Sequence, residues 1–140
     1  MIIAVDFDGT IVTHEYPKIG KEIPFAIDTL KRLQSDGHHQ LILWSVREGI
    51  YLDEAIEFCR ERGLEFYAIN GNYPEAEKID NQARKVSAEL FIDDRNLGGL
   101  PDWGVIYRMI MSGNPWTAIS ADFTPDASQT KKKGFSIFRK

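Results

Sequence analysis

The chain has 140 residues, of which 43% are hydrophobic and 27% charged, and it carries a formal net charge of −4. A chain of this length can bury a core as one domain, and its acidic balance does not favour general attraction to nucleic acid. Because no apolar run approaches the ~18 residues of a membrane span and the first one soon meets acids, we expect neither a span nor a signal peptide.

The first half of the chain begins with a strand-like apolar run and a helix-like periodic run. The run at 2–7 is short and is followed by Gly9, as expected of a buried strand. The segment 24–37 is predicted as a helix with Pro24 in its first turn and Gly37 at its C-terminal cap. The apolar residues that recur there near helical spacing are Phe25, Ile27, Leu30 and Leu33.

The alternation continues to residue 111. Strands are predicted at 39–45, 65–70 and 88–94, and helices at 51–63 and 103–111. The single cysteine, Cys59, lies on the expected buried face of the second helix. It is therefore read as a small core residue, which fits a reducing, cytoplasmic location. In the last helix, one face is predicted to carry Trp103, Ile106 and Ile110.

Strands that alternate with helices of this length predict βαβ units and a parallel sheet with right-handed crossovers. The predicted fold class is α/β, a Rossmann-like three-layer α/β/α sandwich with a mainly parallel sheet. Residues 1–111 are expected to form the catalytic domain. Residues 112–140 are expected to be irregular, as part of that domain or packed on it, and to end in a basic tail read as a solvated terminus.

Polar side chains stand at the ends of all four predicted strands. In a parallel sheet these ends share one edge, where ligands bind. The residues are Asp6 and Asp8 after the first strand, Ser45 and Asn70 after the next two, and Asp93 and Asp94 after the fourth.

Up to four carboxylates at one edge would repel each other unless a cation or a shared proton is present. Mg²⁺ prefers oxygen ligands, and no His or Cys accompanies the acids, so magnesium is expected rather than zinc. One carboxylate could then attack phosphorus, and another, two residues on, could transfer a proton to the leaving oxygen and from water. A hydroxyl and an ammonium would complete stabilisation of the phosphoryl oxygens.

The motifs resemble those of the haloacid dehalogenase superfamily of phosphohydrolases. "DFDGT" at 6–10 matches its first motif, Ser45 in "LILWS" its second, and "IDD" at 92–94, with a lysine upstream, the remainder. "WSVREG" and "KVSAELFIDDRN" are similar to a small subgroup without a cap domain, and the resemblance covers roughly residues 1–111.

The resemblance implies a Mg²⁺-dependent phosphatase. It makes Asp6 the nucleophile and Asp8 the general acid and base. Asp6 and Asp93 would bind Mg²⁺ through carboxylates, Asp8 through its backbone carbonyl, and Asp94 directly or through water. Ser45 would hydrogen-bond the phosphate.

The resemblance also implies a phosphate-binding lysine, for which Lys85 is preferred and Lys78 stays open. Arg47 is either a second substrate-binding residue or one half of a loop salt bridge. Asn70 and Asn72 are read at least equally well as turn residues.

Other classes of protein remain as alternatives. A phosphotransferase would use the same chemistry with a different acceptor, whereas a receiver-like module or a non-catalytic phosphate-binding module would not need both Asp6 and Asp8. Because the core units use most of the chain, we expect no cap and an open site. Such a site suits a phosphorylated substrate that is large, or a small molecule covered by a second subunit of a homo-oligomer.

Overall fold

The computed structural model describes residues 1–74 and 86–116. The described elements are strands β1 (Ile2–Val5), β2 (Gln40–Leu43), β3 (Ala68–Ile69) and β4 (Leu90–Ile92), and helices α1 (Ala26–Ser35), α2 (Gly49–Glu61) and α3 (Trp103–Met111). No helix in these ranges has both the length and the apolar character needed to cross a bilayer.

The four strands form one parallel sheet in the order β3-β2-β1-β4. This confirms the predicted α/β, Rossmann-like class with a parallel sheet. Since β1 pairs with both β2 and β4, the chain that leaves β1 emerges in the middle of the sheet edge. Residues after β2 and β4 flank it, which is the condition for a site built from three loops.

The sheet is apolar on both faces, as parallel strands covered on both sides require. Side chains alternate between the faces, so Ala4, Ile42 and Ala68 share one face and pack with Val86. The other face carries buried residues from the same strands, which are Ile3, Val5, Leu41 and Leu43.

Helices α1 and α2 lie on one face of the sheet, as right-handed crossovers require. The side chain of Lys31 in α1 donates a hydrogen bond to the carbonyl of Arg62, just after α2, over 3.1 Å. Gln34 donates in the same way to the carbonyl of Glu65 over 2.7 Å. Cys59 is fully buried, which confirms its reading as a core residue, and burial raises the pKa of its thiol to about 12.

The start of α1 differs from the prediction. Phe25 has a φ of 69° and a side chain that is 67% exposed, so it precedes the helix and does not lie on its buried face. A positive φ is incompatible with the helical backbone and turns the side chain away from the apolar stripe formed by Ile27, Leu30 and Leu33. Each strand is also shorter than predicted, because the residues in register with a neighbouring strand do not extend to both ends of the predicted segments.

The chain divides into two compact units, Met1–Leu100 and Pro101–Lys140. The first contains the sheet, α1 and α2. The second contains α3, whose bounds and buried residues Trp103, Ile106 and Ile110 agree with the prediction. Most of the predicted irregular segment 112–140, including the basic tail, lies outside the described residues.

Candidate functional site

Three carboxylates meet beyond the carboxyl ends of β1 and β4. Asp6, Asp93 and Asp94 each offer an oxygen, and these oxygens all lie within 4.8 Å of one another. The backbone places them, since the Asp6 amide donates to the carbonyl of Ile92 over 3.0 Å and so continues the pairing of β1 with β4. We call Asp6, Asp93 and Asp94 the acidic triad.

A tight turn after β1 connects the two halves of the triad. The amides of Thr10 and Ile11 both donate to the carbonyl of Phe7, so the chain folds back toward the sheet. The buried Thr10 hydroxyl then lies 3.3 Å from the Asp6 carboxylate and 3.5 Å from that of Asp94, and it accepts the Asp94 amide over 3.1 Å. Thr10 therefore joins the loops after β1 and β4.

Gly9 makes this turn sterically feasible. Its φ is +85°, and a Cβ at this position would lie 2.7 Å from the carboxyl carbon of Asp94. A side chain would strain the backbone and push Asp94 out of the triad. Sequence reasoning used Gly9 only as a strand terminator and gave Thr10 no role. The roles of Gly9 and Thr10 could have been inferred from the complete "DFDGT" string, in which both residues directly follow the two acids.

Asp8 does not join the other three acids. Its two carboxylate oxygens accept hydrogen bonds from Nε and Nη2 of Arg47, both over 2.7 Å. The expectation of up to four clustered carboxylates is thus corrected to three. Extended chain would place Asp6 and Asp8 on the same side, but the chain turns directly after Asp8, at Gly9, and a guanidinium offers Asp8 a bidentate partner.

Arg47 takes the salt-bridge role that the sequence left open. Its side chain has no exposed surface, and its remaining hydrogen bonds go to backbone carbonyls of Pro17, Lys18 and Tyr51 over 2.9–3.2 Å. Its guanidinium also lies over the Phe7 ring, 5.2 Å from the centroid. The hydrogen bonds that this guanidinium donates to Asp8 raise its pKa. With every nitrogen engaged, Arg47 is not placed to bind a substrate anion.

Ser45 lies just beyond the end of β2, as predicted, and hydrogen bonds with Asn70 and Arg47 hold it there. Its amide donates to the side-chain oxygen of Asn70 over 2.8 Å, and its hydroxyl accepts the Arg47 amide over 3.1 Å. Asn70 has a φ of 51°, in the left-handed region that Asn tolerates, so it acts both as a turn residue and as a support for Ser45. The side-chain amide of Asn72 donates to the carbonyl of Ser87 and accepts the amide of the same residue.

The lysine question lies outside the described residues, because Lys78 and Lys85 both fall in 75–85. The described chain between β1 and α1 contains turns and short bridges but no helix. The expectation of an open site remains a prediction for the rest of the chain.

The triad is electrostatically unfavourable without a cation. Burial, and after it the charge of Asp93, raise the pKa of Asp6 to about 7. Within residues 1–74 and 86–116 no His or Cys joins the three carboxylates, so they form an all-oxygen ligand set, which suits Mg²⁺. A bound cation would remove the repulsion that raises this pKa. The residues present therefore fit the predicted magnesium site.

We expect the metal-free protein to lose stability as the pH rises from about 4 to about 7. The folded pKa of Asp6 lies above its unfolded value, so the folded state holds a proton that is lost as the pH approaches 7, and the ionised triad then repels itself. Mg²⁺ should therefore raise the melting temperature more at pH 8 than at pH 5.

Thermal melts at both pH values, with MgCl₂ and with a chelator, measure this effect. Other carboxylates also titrate, so the contribution of the triad is the difference between the wild type and Asp6→Asn. An Asp6→Asn profile as steep as that of the wild type, or an equal effect of Mg²⁺ at both pH values, would contradict the assignment.

Comparisons with known proteins identify one solved relative. The chain is 62% identical to the conserved protein coded by a locus from Bacteroides thetaiotaomicron, over 84% of this chain and 98% of that one, with a TM-score of 0.74. A scan against protein-family models and a search of curated proteins gave no match.

Proposed function

The chain belongs to the same family as the conserved protein from Bacteroides thetaiotaomicron, and we propose that it is a Mg²⁺-dependent phosphomonoester hydrolase that works through an aspartyl phosphate on Asp6. The observation that carries the proposal is the acidic triad, in which one carboxylate has its pKa raised to about 7 by burial and by its neighbours. The resemblance of the motifs to the haloacid dehalogenase superfamily supports the same chemistry.

The reaction would take place in two steps, transfer of the phosphoryl group to Asp6 and hydrolysis of the aspartyl phosphate. A carboxylate oxygen of Asp6 bonds to phosphorus while the ester P–O bond breaks and the leaving oxygen takes a proton. Water then attacks phosphorus, and the bond to Asp6 breaks. The products are an alcohol, inorganic phosphate and the free Asp6 carboxylate, so Asp6 is regenerated.

Asp6, Asp93 and Asp94 would hold the Mg²⁺, which when bound neutralises phosphoryl charge and orients the phosphate. The Thr10 hydroxyl contacts the carboxylates of both Asp6 and Asp94 and so fixes their relative positions. Ser45 would donate to a phosphoryl oxygen.

Asp8 is proposed to transfer the protons, to the leaving oxygen and then from water. Both of its oxygens accept from Arg47, so its carboxylate is held by the guanidinium and is not one of the clustered acids. Proton transfer therefore requires the substrate or a water molecule to reach Asp8 beside the guanidinium. This requirement favours an open site over one sealed from solvent.

The test is hydrolysis of 4-nitrophenyl phosphate with Mg²⁺, with a chelator and with Ca²⁺. We expect turnover with Mg²⁺, none after chelation, and inhibition by Ca²⁺, whose larger and looser coordination would engage Asp6 unproductively. Release of inorganic phosphate in water, without transfer to an added alcohol, distinguishes a hydrolase from a phosphotransferase. Activity that survives exhaustive chelation would rule out this mechanism.

A further inference from the structure

A groove with a volume of about 570 Å³ runs along one side of α2. Residues 17–19, from the segment between β1 and α1, form one wall. The other wall is formed by α2, through Tyr51, Glu54, Glu57, Phe58 and Glu61. We call this feature the α2 groove.

Its walls combine negative charge with apolar surface. The three glutamates follow one another at intervals of three and four residues, which places them on one face of the helix with neighbours about 5–6 Å apart. The Glu57 side chain pairs with Arg60, whereas the side chains of Glu54 and Glu61 make no ion pair or hydrogen bond within residues 1–74 and 86–116, although the charge of Glu54 acts on Arg47. Lys18 is the one basic residue among the described lining residues.

The apolar part of the groove comes from Ile19 and from two aromatic residues of α2. The Tyr51 side chain is 42% exposed, and its ring lies 5.9 Å from that of Tyr16. The Phe58 ring packs edge-on against Phe7, 5.9 Å away, and so belongs partly to the core. A ligand in the groove would therefore meet fixed aromatic surface as well as carboxylates.

The groove is linked to the loop after β1 through Arg47. Nη1 of Arg47 donates to the carbonyls of Pro17 and Tyr51, which line one end of the groove. Nε and Nη2 of the same guanidinium hold Asp8. One planar group thus connects the end of the groove to the loop that carries Asp6.

From this end the groove follows the helix for a considerable distance. Tyr51 and Glu61 are ten residues apart on α2, which corresponds to about 15 Å at 1.5 Å per residue. A small phosphate ester would occupy only part of that length. An extended peptide of four or five residues, at about 3.3 Å each, spans the whole length.

We infer that the α2 groove binds the basic segment of a phosphorylated peptide substrate, which presents its phosphoryl group to Asp6. This inference rests on the proposed function and names its substrate class. Lysine or arginine side chains of the substrate pair with Glu54 and Glu61, and its apolar side chains lie against Tyr51 and Phe58. A nucleic acid is disfavoured, because its phosphates would face the same carboxylates.

Three matched phosphotyrosine peptides test the inference, with Lys-Ala-Lys, Ala-Ala-Ala or Glu-Ala-Glu on both sides of the phosphotyrosine. With Mg²⁺ at low salt, kcat/KM should fall about tenfold from the basic to the neutral peptide, and further for the acidic one. The difference should appear in KM, because the glutamates do not touch the reacting atoms, and should shrink at high salt as the charges are screened.

Variants of α2 locate the preference. The double variant Glu54→Gln/Glu61→Gln should bring the ratio of basic to neutral peptide to within about twofold. Asp53→Asn removes one charge from the same helix at a position that does not line the groove, and it should keep the wild-type ratio. An equal loss of preference in Asp53→Asn would show a general effect of helix charge and would overturn the inference.

The remaining outcomes separate this inference from the proposed function. Turnover of 4-nitrophenyl phosphate with no preference among the peptides would overturn the inference alone. If no phosphate ester is turned over, the proposed function fails. Fluorescence anisotropy of the labelled, unphosphorylated basic peptide then tests whether the α2 groove binds a basic peptide. Absence of binding, or binding that the double variant leaves unchanged, overturns the inference. Spermine can also be added as a competitor of the labelled peptide. If it competes as strongly as an unlabelled peptide of equal charge, the groove binds polycations in general, and the inference of a peptide substrate is overturned.

Discussion

Asp6→Asn is expected to lower Mg²⁺-dependent turnover at least about a thousandfold, because removal of a nucleophile leaves only the contribution of binding and charge stabilisation. The amide of Asn does not form the acyl phosphate, and the triad loses one of its three charges. Initial rates on 4-nitrophenyl phosphate at saturating Mg²⁺ measure the loss. Acid quenching during turnover should trap a phosphoenzyme in the wild type and none in the variant.

The controls for this prediction distinguish lost chemistry from lost structure. Metal-free Asp6→Asn should be at least as stable as the wild type at about pH 8, since it removes the repulsion from Asp93 that raises the pKa of Asp6. Asp8→Asn should slow both steps and leave a phosphoenzyme that can be trapped with an activated substrate. Small losses in both variants, within about tenfold, would mean that the two acids are only structural.

Arg47→Met is expected to destabilise the fold by about 3–5 kcal/mol, the usual cost of removing one partner from a buried ion pair. Asp8, at 8% exposure, would keep a buried charge without its two hydrogen bonds from the guanidinium. The carbonyls of Pro17, Lys18 and Tyr51 would also lose their donor. Methionine retains most of the apolar length of the side chain, so the effect reports mainly on charge and hydrogen bonding.

Urea denaturation at about pH 7 measures this loss. The double variant Asp8→Asn/Arg47→Met should be more stable than Arg47→Met, because it no longer buries an unpaired charge. Arg60→Met is the matched surface control: its pair with Glu57 is about half exposed on both sides and should contribute no more than about 1 kcal/mol. An Arg47→Met loss as small as that of Arg60→Met would contradict the role of Arg47 as the buried link between Asp8 and α2.

Several features of this protein follow from local sequence. Apolar runs that alternate with periodic segments were enough to predict the parallel sheet, because an element buries its apolar face with its own period wherever it lies in the fold. The residues of α3 and the burial of Cys59 were predicted for the same reason. The acidic triad was also within reach, since the carboxyl ends of parallel strands must share one edge, whatever the strand order.

Other features depended on contacts between residues that are distant in the chain. Asp8 is bound by Arg47, which is 39 residues away, and no local pattern shows whether Asp6 or Asp8 will turn toward it. The position of Phe25 outside α1 required a positive φ that its residue type does not signal. Strand ends were misplaced because pairing with a neighbour, rather than the length of an apolar run, determines where a strand stops.

The α2 groove also required the tertiary structure. Its glutamates follow an ordinary helical spacing that fits a solvated face equally well. Only the position of residues 17–19 beside α2, held by the guanidinium of Arg47, turns that face into a wall and connects it to the loop after β1. Local sequence therefore determined which chemical groups reach the edge of the sheet. Long-range hydrogen bonds decided which of them face one another, because the partner of a buried charge is chosen by the packing of the whole unit.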